Sequence, residues 1–382
     1  MFISILLTTA FVLYVFYAAI ILLYRKWFLQ LKPFTISASF EPKISFSVII
    51  PARNEQDNIE QCLLTILRQE YPTNLFEVIV VDDHSTDDTP VIITRLQEQY
   101  PNLQLIKLAN ILQGKQLNSY KKKAIEIAIR SAKYNWIVTT DADCMVTGKW
   151  LENYAAYIQQ YQPVFVGAPV AYSNNGSVLS VFQCIDFMTM QGVTAAAVSA
   201  GFHAMCNGAN LAYKKETFYE VGGFKGIDTI ASGDDMLLMS KIKKRYPRQI
   251  GFIFSKEAIV TTDPMPSWKS FFNQRIRWAS KADQYKDKTV FWVLLLMYLF
   301  NLLLIVLPFM ILVDTRALYG WIALLILKTL VEMTFAIPMS RFFGLPLKGW
   351  YACLQLHHIS YMVIAGWMGK FGKYQWKGRS VK

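Results

Sequence analysis

From Phe2 to Tyr24 the chain carries no charged side chain: FISILLTTAFVLYVFYAAIILLY. Such a run is long enough to cross a hydrocarbon core of ~30 Å at ~1.5 Å per residue. A cleaved signal peptide fits poorly, because there is no basic leader and no small-x-small site before Arg25. Residues 1–26 are therefore expected to be an uncleaved anchor. A second apolar block, 288–369, contains Val290–Val313, broken by Asn301 and Pro308, and Ala317–Met339. It ends in a shorter, more polar stretch, Tyr351–Met368, which either spans or lies at the interface. Lys328 and Glu332 stand four residues apart, so they share a helix face and are expected to pair. These blocks account for a composition that is 53% hydrophobic and only 17% charged. Arg25, Lys26 and Lys32 follow the first span, which puts the region between the blocks in the cytoplasm by the positive-inside rule. The expectation is a multi-pass membrane protein, of a bacterial inner membrane, in contact with membrane lipids. The basic tail 370–382 (Lys370, Lys373, Lys377, Arg379, Lys382) is read as cytoplasmic too, which requires that Tyr351–Met368 not fully span. Part of the net charge of +12 flanks the membrane segments, and no nucleic-acid partner is expected.

Residues 44–265 read as a soluble domain. Phe46–Ile50, Phe76–Val81, Leu103–Leu108 and Trp136–Thr140 are apolar, β-rich runs. Helical patterns alternate with them over Asp57–Gln69, Thr89–Tyr100 and Lys122–Lys133. That alternation predicts a parallel sheet covered on both faces, with ligands beyond the carboxyl ends of the strands. Three strands end in polar clusters: PARNE at 51–55, DDHSTDD at 82–88 and DAD at 141–143. Neither G-x-G-x-x-G nor a P-loop follows any strand. The five cysteines contain no C-x-x-C and read as reduced thiols, which argues against a zinc site.

Asp141 and Asp143 need explaining, since adjacent carboxylates repel. On extended backbone, positions i and i+2 point the same way, so the pair needs a cation, a proton or a great deal of water. Further on come Asp234-Asp235 in SGDDMLLMSKI, Q-x-x-R-W in SFFNQRIRWASK, and CNGANLAYKKETFYEVGGF at 206–224. In order and context these motifs resemble glycosyltransferase family 2, and more narrowly its membrane-integrated branch of polysaccharide synthases and lipid glycosyltransferases. The likeness covers about residues 1–300.

The resemblance implies a GT-A fold of the α/β, Rossmann-like kind, a nucleotide-diphosphate-sugar donor (a UDP-sugar is expected) and Mg²⁺ or Mn²⁺. It assigns Asp141 and Asp143 to the metal, with Asp141 also at the donor. Ala52, Arg53 and Glu55 match the nucleotide-contacting stretch after the first strand. Asp83 matches the aspartate that accepts a hydrogen bond from the base. Lys122 matches the lysine near the donor phosphates. The usual preceding glycine is missing, which leaves Lys121 and Lys123 open for that role. Asp235 matches the catalytic base, and the chain departs from the usual Glu-Asp by having Asp234 before it. Asp234 is assigned to the acceptor side, with helix N-capping as the plain alternative. Gly208 and Asn207 fall in the segment at the acceptor mouth. Gln274, Arg277 and Trp278 are placed in catalysis, Arg277 as a fork for the diphosphate and Trp278 as a stacking face for the acceptor.

The helix carrying that motif, Ser267–Tyr285 within 266–286, also reads as interfacial. In that reading Trp268, Phe271, Phe272, Ile276 and Trp278 lie in the headgroup boundary, and Lys269, Arg275 and Lys281 face anionic lipid. The expected reaction is an inverting, metal-dependent sugar transfer to a lipid or membrane-associated glycan. The alternative is a processive polysaccharide synthase. A hydrolase using Asp141, Asp143 and Asp235 leaves Asp83 and Q-x-x-R-W without work. A non-catalytic scaffold would need a broken constellation, and this one is intact.

Overall fold

The computed structural model describes residues 1–114, 117–230, 233–281, 288–347, 349–372, 374–376 and 379–381. The chain forms two compact units. One comprises Lys32–Tyr172 and Ala197–Asp263; the other comprises Met1–Leu31, Ser173–Ala196 and Pro264–Lys382. Residues 173–196, which the sequence pattern places inside the soluble stretch, thus group with the apolar helices.

The first unit is built on a seven-stranded sheet. Its strands are β1 (Phe46–Ala52), β2 (Phe76–Asp82), β3 (Leu103–Lys107), β4 (Trp136–Thr139), β6 (Phe165–Gly167), β8 (Leu211–Lys214) and β9 (Ile250–Phe252), in the order β3-β2-β1-β4-β8-β6-β9. The four strands predicted from sequence run parallel to one another, while β8 is antiparallel to both β4 and β6. A smaller sheet joins β5 (Cys144–Met145), β10 (Val260–Thr262) and β7 (Val170–Tyr172). Val78, Ile79, Val80 and Val81 in β2 are all completely buried, as expected of a strand covered on both faces. Each such side chain contributes roughly 1.5–3 kcal/mol relative to an exposed one.

β1 does not stop at Pro51 but runs through it to Ala52. Its pairing with β4 ends at Ile49–Thr139, so at Pro51 only β2 is a ladder partner, a setting that tolerates the missing N–H. Helices Ile59–Leu67, Thr89–Gln97 and Tyr120–Ser131 match the expected ones within a few residues at each end.

Asn210 knits this unit together from complete burial. Its amide nitrogen donates to the carbonyls of Pro169 (2.7 Å) and Ala258 (2.8 Å). Its oxygen accepts from Trp150 Nε1 and Tyr154 Oη, both at 2.9 Å.

In the second unit, four helices are long and apolar enough to cross a membrane by length and composition, among the described residues: Phe2–Gln30, Val178–Ser199, Lys288–Leu312 and Arg316–Phe343. Val178–Ser199, absent from the expected spans, is 83% buried, against 17% to 39% for the others. Tyr351–Met368 forms two pieces, Trp350–Cys353 and Gln355–Phe371, and is not one of the four. Lys328 and Glu332 do pair, at 2.6 Å. Lys328 also donates to Gln355 Oε1 (2.8 Å), and Glu332 accepts from Gln355 Nε2 (2.6 Å) and the Tyr17 hydroxyl.

The Q-x-x-R-W helix is Trp268–Ala279. Ser267 caps it in a reciprocal box with Ser270, and residues 282–287, including Tyr285, lie outside the described residues. Within the basic tail, Lys373, Lys377 and Lys382 lie outside them as well. Arg275 corrects the interfacial reading. It is 4% exposed and bonds Asp186 Oδ2 through Nε (3.1 Å) and Nη2 (2.7 Å). Phe271 and Ile276 are buried rather than facing a headgroup layer.

Replacing Asn210 by Leu should lower stability by about 3–6 kcal/mol, since four buried hydrogen-bonding groups would each lose a partner. A thermal or denaturant melt of the purified variant measures it.

Candidate active site

The parallel strands deliver their polar ends to one edge. After β1, Arg53 Nη1 donates to the Asp83 carbonyl (2.7 Å), and its guanidinium lies 3.8 Å from Asp83 Oδ1. The Asp83 amide bonds the Ala52 carbonyl (2.8 Å), and His84 Nδ1 lies 2.9 Å from Asp83 Oδ1. Asn54 and His84 both take positive φ, 51° and 56°, which turns the two loops into each other. The Glu55 amide donates to Thr89 Oγ1 (2.8 Å), and the Asn54 amide to Ser85 Oγ (3.0 Å). Ala52, Arg53, Glu55 and Asp83, read separately from the sequence, thus form one hydrogen-bonded platform.

The D-x-D turn follows β4. Its backbone is pinned at the Asp141 carbonyl, which accepts from the Cys144 amide (3.2 Å) and the Cys62 thiol (3.5 Å). Asp141 is half-buried and Asp143 exposed. The Lys121 ammonium sits 2.7 Å from Asp141 Oδ1 and 3.5 Å from Asp234 Oδ2. Burial opposes its charge, yet the carboxylates of Asp141 and Asp234 more than offset that, and its pKa is raised above the ordinary lysine range.

Of the three successive lysines, Lys121 is the one on the carboxylates. Lys122, the residue singled out from sequence, is 2% exposed and gives its ammonium to the carbonyls of Ile227 and Ile230. Lys123 pairs with Glu126 at 3.1 Å. The helix begins at Tyr120, two residues earlier than its pattern suggests. Its rotation aims Lys121 along the strand ends and Lys122 at the segment preceding Asp234.

Asp235 is the N-cap of helix Met236–Arg245, the role the sequence reading offered to Asp234. Its Oδ1 accepts from the Met236 amide (2.7 Å) and its Oδ2 from the Gly208 amide (3.0 Å). A carboxylate offers about four lone-pair sites, so capacity remains for an acceptor hydroxyl. Gly208 is fixed in turn by Thr139 Oγ1, which donates to its carbonyl at 2.8 Å. A Cβ on Gly208 would lie 3.4 Å from Asp234 Oδ2 and 3.5 Å from Asp235 Cβ, so a larger side chain would crowd both carboxylates. The end of β4 therefore positions Asp141 through the chain and Asp235 through Gly208. The sequence reading left Lys121 open beside Lys122 and missed Thr139, whose only signal was its place beside the motif residues. Gln274, Arg277 and Trp278 lie in the other unit, where Gln274 Oε1 accepts from Arg275 (2.7 Å) and the Trp278 ring lies 4.3 Å from its guanidinium.

Among the described residues no three His, Cys, Asp or Glu side chains gather to hold a metal ion. A Mg²⁺ or Mn²⁺ does not need three: one or two carboxylates suffice when substrate phosphates complete the shell. The Lys121 ammonium between Asp141 and Asp234 shows that this edge already accommodates a cation. The donor set is all oxygen, as a hard divalent ion prefers.

Parallel strands with carboxylate-rich ends and an N-capping aspartate at the same edge give the layout of a GT-A fold. A family model described as Glycosyl transferase family 2 matches residues 47–222, and one described as Glycosyl transferase family group 2 matches residues 136–374. The second covers more than half of the chain, and the chain belongs to this family. Glycosyltransferase AglE from Haloferax volcanii is 29% identical over 190 residues, 49% of this chain and 58% of that protein. Poly-beta-1,6-N-acetyl-D-glucosamine synthase from Staphylococcus epidermidis is 24% identical over 270 residues, 66% of this chain and 59% of that protein. The chain spans less than two thirds of the length of these relatives. The mannosyltransferase PcManGT from Pyrobaculum calidifontis, solved with GDP-Man and Mn²⁺, aligns with a TM-score of 0.61. The alignment covers 96% of this chain and 97% of that one at 20% identity, a likeness of fold.

Burial, and then the Asp143 carboxylate, push the thiols of Cys62 and Cys144 well above the ordinary range. Both should therefore resist iodoacetamide at pH 8 in the folded protein and react once it is denatured. Peptide mass spectrometry reads the difference.

Proposed function

We propose that this chain transfers a sugar from a nucleotide-diphosphate-sugar, in the first instance a UDP-sugar, to a lipid or membrane-associated glycan acceptor, inverting the anomeric carbon. One observation carries the reading. Asp141 and Asp234 share the Lys121 ammonium, while Asp235 is held at the same edge by the Gly208 amide. Metal-side, donor-side and base residues of the motif pattern thus meet in one cluster. The domain formed around it, 44–265, faces the cytoplasm in this reading, because Arg25, Lys26 and Lys32 follow the first apolar helix.

Asp83, braced by Arg53 and His84, offers a carboxylate to the base of the nucleotide. Asp141 and Asp143 would hold the divalent cation, which would supply charge stabilisation to the departing nucleotide diphosphate. Asp235 takes the proton of the acceptor hydroxyl as its oxygen bonds to the anomeric carbon. The bond from that carbon to the diphosphate oxygen breaks, and its electron pair leaves with the diphosphate. One displacement inverts the carbon, and no carboxylate is spent as a nucleophile. The two backbone N–H bonds to Asp235 fix its orientation before substrate arrives, a contribution of positioning. For Gln274, Arg277 and Trp278 the reading rests on the motif alone.

Processive polymer synthesis is the second reading, favoured by the similarity to the poly-N-acetylglucosamine synthase over 66% of this chain. Membranes containing the full chain, incubated with radiolabelled UDP- and GDP-sugars, separate the possibilities. Label in single-sugar lipid or glycan products supports transfer, and label in high-molecular-weight polymer supports the second reading. Free sugar, or no turnover with any donor, overturns both.

Asp235→Asn should cut turnover by roughly 10²–10⁴ while nucleotide-diphosphate affinity stays near that of the wild type, as single-turnover transfer and equilibrium binding measure. EDTA should abolish transfer, and added Mn²⁺ should restore it. Full activity in EDTA removes the metal from the reaction.

A further inference from the structure

Lys121 is more than another basic residue near a phosphate site. Its ammonium is bonded to an oxygen of Asp141, a carboxylate of the pair read as holding the cation, and it leans on Asp234 besides. We propose that the Lys121 ammonium and the donor's divalent cation compete for one set of carboxylates, so that the cation binds weakly alone and tightly together with the nucleotide diphosphate that draws the ammonium away. The inference rests on the reading of Asp141 and Asp143 as the cation-holding pair.

The charges make the case. A lone divalent cation approaching Asp141 meets a positive charge already at 2.7 Å from the same carboxylate. Repulsion at such range is strong where the surroundings are partly buried, and the Lys121 side chain is 23% exposed. A cation arriving with a diphosphate brings its own compensation, and the diphosphate offers the ammonium a new anionic partner. Lysine suits the exchange, being a point charge on a four-carbon stem with three rotatable donors. Its neighbours do not share the role: Lys122 is committed to the Ile227 and Ile230 carbonyls, and Lys123 to Glu126. No bond is made or broken; one ion pair is exchanged for another.

The test is Mn²⁺ binding to the purified full chain in detergent, followed by loss of the free-ion electron paramagnetic resonance signal. Without nucleotide, Lys121→Met should bind Mn²⁺ roughly tenfold or more tightly than the wild type. Lys121→Arg should stay as weak as the wild type. Addition of UDP or GDP should tighten Mn²⁺ binding in the wild type and narrow the gap. Equal nucleotide-free affinity in Lys121→Met and wild type overturns the proposal. Asp141→Asn separates the two layers. If it loses Mn²⁺ while Lys121→Met gains nothing, the competition fails and the cation-holding pair stands. If it binds Mn²⁺ like the wild type, both fall. Should Lys121→Met not fold, acetylation of Lys121 in the wild type, read by peptide mass spectrometry, answers the same question. The rate should rise severalfold with saturating Mn²⁺ alone, and an unchanged rate overturns the proposal.

Discussion

Four parallel strands that stop at one edge create an electrostatic problem that the rest of the site exists to solve. Asp82, Asp83, Asp141 and Asp143 arrive there through the backbone, and helix Met236–Arg245 adds Asp234 and Asp235. Like charges so gathered need donors, and three of these carboxylates show theirs. Asp83 has Arg53 and His84, Asp141 has Lys121, and Asp235 has the amides of Gly208 and Met236. Arg53, Lys121 and Gly208 come from segments distant in sequence, so the clustering of negative charge also ties loops together.

Much of this was legible in the chain and some was not, for reasons that differ by residue. The runs Phe76–Val81 and Trp136–Thr140 are apolar almost without interruption, and burial on both faces of a parallel sheet leaves that mark. The two- to four-residue strands after β4 have no comparable signal, because they are too short to show alternation. Val178–Ser199 was missed as an apolar helix because Gln183, Asp186 and Gln191 interrupt it, and all three are buried inside the protein. Lys121 could not be told from Lys122 because successive helix residues differ by about 100° in direction, and that phase is set by where the helix starts.

The same limit governs the paired arginines of the Q-x-x-R-W helix. Arg275 and Arg277 are alike in sequence, yet Arg275 is spent inside its unit on Asp186, which also takes the Tyr361 hydroxyl. Phe271 and Trp278 lie against its guanidinium face at 4.7 and 4.3 Å. A buried arginine that gives two N–H groups to one carboxylate oxygen and stacks on two rings is not replaceable by lysine, whose charge has no plane.

The Lys328–Glu332 pair has a consequence for how the chain is made. Within helix Arg316–Phe343 the two charges cancel, so the middle of the helix can leave an aqueous path without a net charge, the remaining arginines standing near its ends. Glu332 nevertheless depends on a donor from Gln355, 23 positions further on, and on Tyr17 from the opposite end of the chain. Until the last helices emerge from the ribosome, one carboxylate oxygen must wait for its partner. A chain halted between Glu332 and Gln355 would hold a charge pair in an apolar setting with its hydrogen bonds incomplete. The network that closes the finished unit is therefore the part an unfinished one lacks.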